Sequence, residues 1–321
     1  MSDDAPSREA DADAGGSTGD GDADAGGRGA DAGPSAGGPR VDVGGRGADA
    51  DGASRGLDTS AGSAEGGASG TDILARQIRS GLNELERPAS GLLLSGLSAG
   101  LDIGFGPLFM AVVLTLTAGV YDHATQTLLV SNAYAIGFVF VVLGRSELFT
   151  EHTTLAVLPV LDRRSTIRAL LRLWGLVYVG NLVGSAVFAV ALVWLGPAYG
   201  VVGPDALVEL AVPLLDHGVF VTFAGAVLAG WLMGLLSWIV AGADDTASRL
   251  LVVWLIAAAI GLAHLPHSIA GSVEVLSGLL TAHVASLVFV RFLVVSTVGN
   301  AVGGVVFVAL LKYGHVVRGG E

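Results

Sequence analysis

Six long apolar stretches follow residue 90: Gly91–Val120, Leu128–Leu161, Ile167–Leu195, Leu214–Ala241, Leu250–Leu280 and about Val284–Leu311. Each approaches or exceeds the roughly 20 residues that cross about 30 Å of hydrocarbon, so the pattern predicts six transmembrane helices. Ahead of them, Leu74, Ile78, Leu82 and Leu85 recur at helical spacing while Arg76, Arg79, Glu84 and Arg87 stay polar. This predicts an amphipathic helix over residues 73–89, capped by Thr71 or Asp72, ended by Pro88 and lying at the membrane interface against lipid headgroups. The expected division is then an acidic tail over 1–72, this helix, a transmembrane region over 90–314 and a short cytoplasmic end over 315–321.

Two of the spans are interrupted. Arg145-Ser146-Glu147-Leu148-Phe149-Thr150-Glu151-His152 puts four ionisable groups in eight residues of the second span. Charge and non-helical backbone at that depth are tolerated only against protein or water, which marks a pathway. The fifth span breaks at His264-Leu265-Pro266-His267-Ser268, where the proline removes a backbone donor.

An internal repeat joins the two breaks. Gly180-Asn181-Leu182-Val183-Gly184 recurs as Gly299-Asn300-Ala301-Val302-Gly303, and the same offset of 119 carries Leu148–Thr150 onto His267–Ile269. Three spans per repeat oblige the halves to enter the membrane in opposite directions, an inverted 3+3 plan with helices 2 and 5 interrupted. Gly96, Gly100 and Gly104 fall on one helix face, as do Ala226, Gly230 and Gly234. Together with Gly180, Asn181, Gly184, Gly299, Asn300 and Gly303 they are expected to pack the helices closely.

Charge refines the picture. Apart from Arg145 and Arg291, the arginines around the spans and Lys312 flank the same side of six alternating spans, whereas the loops Tyr121–Thr127 and Gly196–Leu214 carry no Lys or Arg. The positive-inside rule therefore puts both termini in the cytoplasm of a cell-membrane protein. Residues 1–72 hold 15 acidic residues against 5 arginines, a net of −10 out of the chain's −12. With almost no large apolar side chain, that segment is expected to be disordered and solvated. Its acidity fits a high-salt setting, and nothing in it points to nucleic acid. The chain has no cysteine, which excludes disulfides and thiolate chemistry.

Glu147-Leu148-Phe149-Thr150, Gly180-Asn181-Leu182-Val183-Gly184, His267-Ser268-Ile269-Ala270 and Gly299-Asn300, in that order, resemble the motifs of the formate/nitrite transporters. The likeness covers about Leu74 to Lys312. It implies an aquaporin-like all-α fold, a homopentamer with one pore per protomer, and conduction of a small monovalent anion or its conjugate weak acid. It also implies that His267 and Thr150 sit together between two apolar constrictions, one from Leu148 and Phe149 beside Glu147, the other from Tyr134, Phe138 and Ile260. Gly230, Gly271, Asp102 and Arg145 depart from the familiar pattern, and Asp102 with Arg145 has two readings, a buried ion pair or a pair that reshapes selectivity or carries protons. Glu151, His152, Glu274 and His283 are expected at solvated helix ends, and His264 in a vestibule.

Other readings are weighed beside this one. A neutral-solute channel of aquaporin type would share the repeat but needs paired Asn-Pro-Ala caps, which the sequence lacks. An intramembrane metalloenzyme would use Glu147, Glu151, His152, His264 and His267, yet no His-Glu-x-x-His pattern exists. No metal or cofactor is expected. A member of this fold that has ceased to transport is the remaining alternative.

Overall fold

The structure, a computed structural model, describes residues 67–282 and 286–319. The acidic tail through residue 66, His283 and the last two residues lie outside the described residues.

The regular elements of the described residues are all helical: α1 (Gly70–Glu86), α2 (Ala89–Asp102), α3 (Phe105–Thr117), α4 (His123–Gly144), α5 (Phe149–Leu155), α6 (Leu158–Leu161), α7 (Ile167–Ala198), α8 (Pro204–Leu215), α9 (Val219–Gly242), α10 (Thr246–Leu262), α11 (Ala270–Ala282), α12 (Ser286–Val302), a π-wound stretch (Gly303–Leu310) and α13 (Leu311–Gly319). Five continuous apolar runs are long enough to cross a membrane: Ala89–Thr117, His123–Gly144, Ile167–Ala198, Val219–Gly242 and Ser286–Gly319. The predicted fifth span is instead two short apolar helices, α10 and α11, separated at the Pro266 break.

Polarity is distributed inside out. Thr150, His152, Thr153, Asn181, His267, Ser268, Asn300 and further Ser and Thr residues are fully buried, whereas Leu94, Trp194, Leu251 and Leu255 are 65–72% exposed. In water that arrangement would be costly on both surfaces. In hydrocarbon it puts apolar side chains against lipid and keeps hydrogen-bonding groups among partners.

Helix ends follow local chemistry. α1 starts one turn earlier than expected because Ser69, not Thr71 or Asp72, is the cap: its hydroxyl accepts the Asp72 N–H while the Asp72 carboxylate accepts the Ser69 N–H. Asp122 and Asp245 cap α4 and α10 through the N–H groups of Thr125 and Ser248. These bonds hold both carboxyls below the usual aspartate range. α1 is pinned to α9, with Gln77 Nε2 donating to the Ser237 carbonyl at 2.7 Å and Arg76 pairing with Asp244 at 2.9 Å.

Two helix pairs cross at backbone contact. A methyl group added to Gly100 on α2 would lie 3.0 Å from the Asn181 Cα on α7, and one on Gly230 of α9 would lie 2.5 Å from the Asn300 Cα on α12. Gly96, Gly180 and Gly184 abut the backbone in the first crossing, and Gly299 and Gly303 in the second, while Gly104 lies under the Phe188 ring. The α8 helix had no counterpart in the sequence reading, which gave residues 196–214 to a loop. It packs against α11 and α3.

Candidate functional site

The two interrupted helices end in the same way. At the end of α4, Arg145 adopts φ 57° and the Ser146 N–H reaches back to the Val141 carbonyl at 3.1 Å. At the end of α10, His264 adopts φ 47° and the Leu265 N–H reaches the Ile260 carbonyl at 3.1 Å. This left-handed termination is usually given to glycine, because a Cβ is disfavoured there. All three positions correspond at the offset of 119.

One asparagine holds each freed segment. Asn181 accepts the Phe149 N–H at 2.8 Å and donates to the carbonyls of Gly96 and Glu147, both at 2.8 Å. Asn300 accepts the Ser268 N–H at 2.8 Å and donates to the carbonyls of Ala226 and Pro266 at 2.8 and 2.9 Å. Each side chain thus supplies the partners that a broken helix has lost. The sequence marked both asparagines as packing residues; their role as clamps on the breaks emerges from the structure.

The clamped segments bring Thr150 and His267 together. Thr150 Oγ1 lies 2.8 Å from His267 Nε2, and both side chains are fully buried. The N–H groups of Ala270 and Ile269 point at His267 Nδ1 from 3.1 and 3.3 Å. That nitrogen therefore offers its lone pair, and the ring hydrogen on Nε2 donates to Thr150 Oγ1. The hydroxyl hydrogen of Thr150 is left to donate elsewhere.

Apolar groups close around the pair. The Phe138 ring meets the His267 ring edge-on at 5.2 Å, and Tyr134 packs on Phe138 at 5.1 Å. Tyr134, Phe138, Ile260 and Leu148 are all buried to 3% exposure or less. Phe149 is buried too, but its ring turns to Trp174 and Tyr178 of α7, at 5.7 and 4.9 Å.

Cavities open at opposite ends of α4, and His267 lines neither. The larger, about 690 Å³, takes in Val142 and Leu143 of α4 with Arg76, Arg145, Glu147, Glu151 and Arg249. The smaller, about 90 Å³, takes in His123, Gln126, Thr127 and Val130 from the start of α4 with Glu209, His264 and Glu274.

Some expectations need correction. Asp102 and Arg145 do not pair: Asp102 accepts hydroxyls from Ser98 at 3.2 Å and Ser146 at 3.1 Å. The left-handed turn at Arg145 leaves it lining the larger cavity. Glu147 is tied up on both oxygens, by Arg87 at 2.8 Å and by His152. His152 is fully buried rather than solvated at a helix end, and Glu274 is only 6% exposed. Neither burial was visible in sequence, because it depends on elements remote along the chain, α1 and α7 for His152 and α8 for Glu274. His264 lines the smaller cavity.

Residues 71–314 match the formate/nitrite transporter family. The chain is 33% identical over 242 residues to the inner membrane protein YfdC of Escherichia coli (strain K12), covering 74% of this chain and 75% of that protein. It is 27% identical over 227 residues to the nitrite transporter NirC of Salmonella typhimurium, covering 68% and 81%. Among solved structures, a pentameric formate channel with formate bound superposes with a TM-score of 0.59 at 27% identity, over 71% of this chain and 98% of that one. The match runs from α1 into α13 and takes in both helix breaks, so this chain belongs to the formate/nitrite transporter family of membrane transporters and channels.

Proposed function

We propose that this protein conducts a small monovalent anion, or its conjugate weak acid, through a path from one cavity to the other past His267. The observation that carries the reading is the Thr150–His267 hydrogen bond, buried between two cavities at opposite ends of α4. A bare anion entering the zone of Phe138, Tyr134, Ile260 and Leu148 would lose solvation worth several kcal/mol or more, whereas its neutral acid loses far less. Proton supply beside that zone therefore decides passage. The His267 Nε2–H and the Thr150 hydroxyl form a short donor chain for that purpose, and the hydroxyl is the group that addresses the solute. Leu148 and Phe149 are assigned to one apolar constriction, and Tyr134, Phe138 and Ile260 to the other.

The same reading holds that the spans number six in two inverted halves, with α10 and α11 together making the fifth. Supporting it, residues 119 apart play matching parts, as Asn181 with Asn300 and Arg145 with His264. Tyr178 and Thr297, also 119 apart, hydrogen-bond to one another at 2.8 Å, as residues facing across a twofold axis do. We further assign five copies per assembly, by the likeness to a pentameric channel, and a cell-membrane location with both termini cytoplasmic, by the arginine distribution. The larger cavity, with three arginines, then faces the cytoplasm.

Reconstitution of the full chain in liposomes tests the function. Uptake of formate, nitrite and acetate is expected to exceed protein-free controls and to rise as external pH falls, while glycerol stays outside. In His267→Ala, uptake should drop and its pH dependence change. An unchanged rate and profile in that variant would remove the histidine from the mechanism, and glycerol passage would favour a neutral-solute channel.

A further inference from the structure

The smaller cavity contains a carboxyl group that the proposed function does not use. Glu274 is 6% exposed, yet it lines the cavity. Among the described residues its carboxyl has no hydrogen-bond or ion-pair partner, and no Lys or Arg lines that cavity. The titratable groups that face the same space are Glu209 from α8, His123 from the start of α4 and His264 from the break before α11. Tyr134 presents its phenol from α4 nearby, and Arg291 of α12 is turned away to the carbonyls of Leu215 and His217.

Its position along the path follows from helix geometry. The Gly271 N–H bonds to the His267 carbonyl at 2.9 Å, so helical winding begins at His267. Glu274, seven residues on, stands on the same face about two turns and roughly 10 Å further along. On α4, which runs the opposite way, Phe138 touches the His267 ring and Tyr134 lies one turn nearer the small cavity. Glu274 therefore stands at the outer end of the apolar stretch that Phe138 and Tyr134 occupy.

A carboxyl enclosed there without a countercharge needs either a bound proton or a bound cation. No group of three or more His, Asp or Glu among the described residues is arranged to hold a metal ion. We propose that Glu274 is the proton donor to the weak-acid anion at the outer mouth of the path, reloaded from the cavity through His264 and His123. The inference rests on the weak-acid reading above. In the step, the Glu274 O–H bond breaks as an O–H bond forms on the anion's oxygen. The neutral acid enters the apolar stretch, and Glu274 is left as a carboxylate. It regains its proton from hydronium in the cavity or from a protonated imidazole of His264 or His123. Outward flux runs the same exchange in reverse.

The test uses the full chain in liposomes with formate as probe, comparing wild type, Glu274→Gln and Glu274→Asp. Glu274→Gln keeps the shape but cannot release a proton, so uptake at neutral external pH is expected to fall about 100-fold, the scale of one general acid. The deficit should close as external pH approaches the pKa of formic acid itself, because the solute then arrives protonated. Glu274→Asp should retain most of the neutral-pH rate. Equal rates and pH profiles for wild type and Glu274→Gln would overturn the proposal. So would a loss in Glu274→Gln that persists at every pH, or a wild-type rate that follows sodium or potassium concentration instead of pH. If wild type takes up no formate at any pH, the weak-acid reading falls, and this inference with it.

Discussion

Asn181 and Asn300, both fully buried, each make three hydrogen bonds to backbone groups, two of them to a segment freed by a helix break. A buried group left unsatisfied costs about 1–3 kcal/mol. Asn300→Ala, which strands the Ser268 N–H and two carbonyls, should therefore lower the thermal midpoint in detergent by several degrees, and Asn181→Ala should do the same. Intrinsic fluorescence melting checks this, and an unshifted midpoint for either would deny it the role of a clamp. Residues of this kind were legible in sequence because they occur twice, in Gly-Asn-x-x-Gly frames 119 apart. His267 was legible from its place in one of two paired helix breaks, and Thr150 from the likeness of its loop to the family motif. Of the two readings of Asp102 and Arg145 the ion pair falls away, and the two serine hydroxyls that satisfy Asp102 instead carry no charge signal in the sequence. Glu274 and His152 could not be placed either, as enclosure by distant helices leaves no mark on the local pattern.

At the scale of elements, the apolar stretches placed the starts of the five long apolar helices to within five residues, and the Pro266 break fell between α10 and α11 as read. The sequence could not deliver α8: Pro204–Leu215 is short, mixed in polarity and carries two prolines, so it reads as a loop until α11 and α3 supply a surface for it. What holds the long elements together is absence of bulk. Gly230→Leu would drive a side chain into the Asn300 backbone, and overpacking of a close crossing has no inexpensive relief. That variant should fail to give a monodisperse particle on size-exclusion chromatography. Gly175→Ala on α7, where an added methyl meets nothing within 4 Å, should elute as wild type and melt no lower, consistent with alanine's better helix propensity. Normal behaviour of Gly230→Leu would mean that α9 and α12 need not touch.

For the whole molecule, the family match begins at residue 71 and α1 has its own capping box at Ser69. Deletion of residues 1–66 is therefore expected to leave formate uptake in liposomes unchanged; a loss of flux would assign those residues a part in transport. The matched turns at Arg145 and His264 have a wider consequence. Each keeps a side chain where glycine would be easier, at a cost of order 1 kcal/mol, and each lines a different cavity. One end of the proposed path thus offers a guanidinium and the other an imidazole set beside two carboxyls. Two breaks that match in backbone geometry set no preferred direction by themselves. These two side chains give the path one, so that uptake driven by an inward gradient should saturate at a different solute concentration from release driven by an equal outward one.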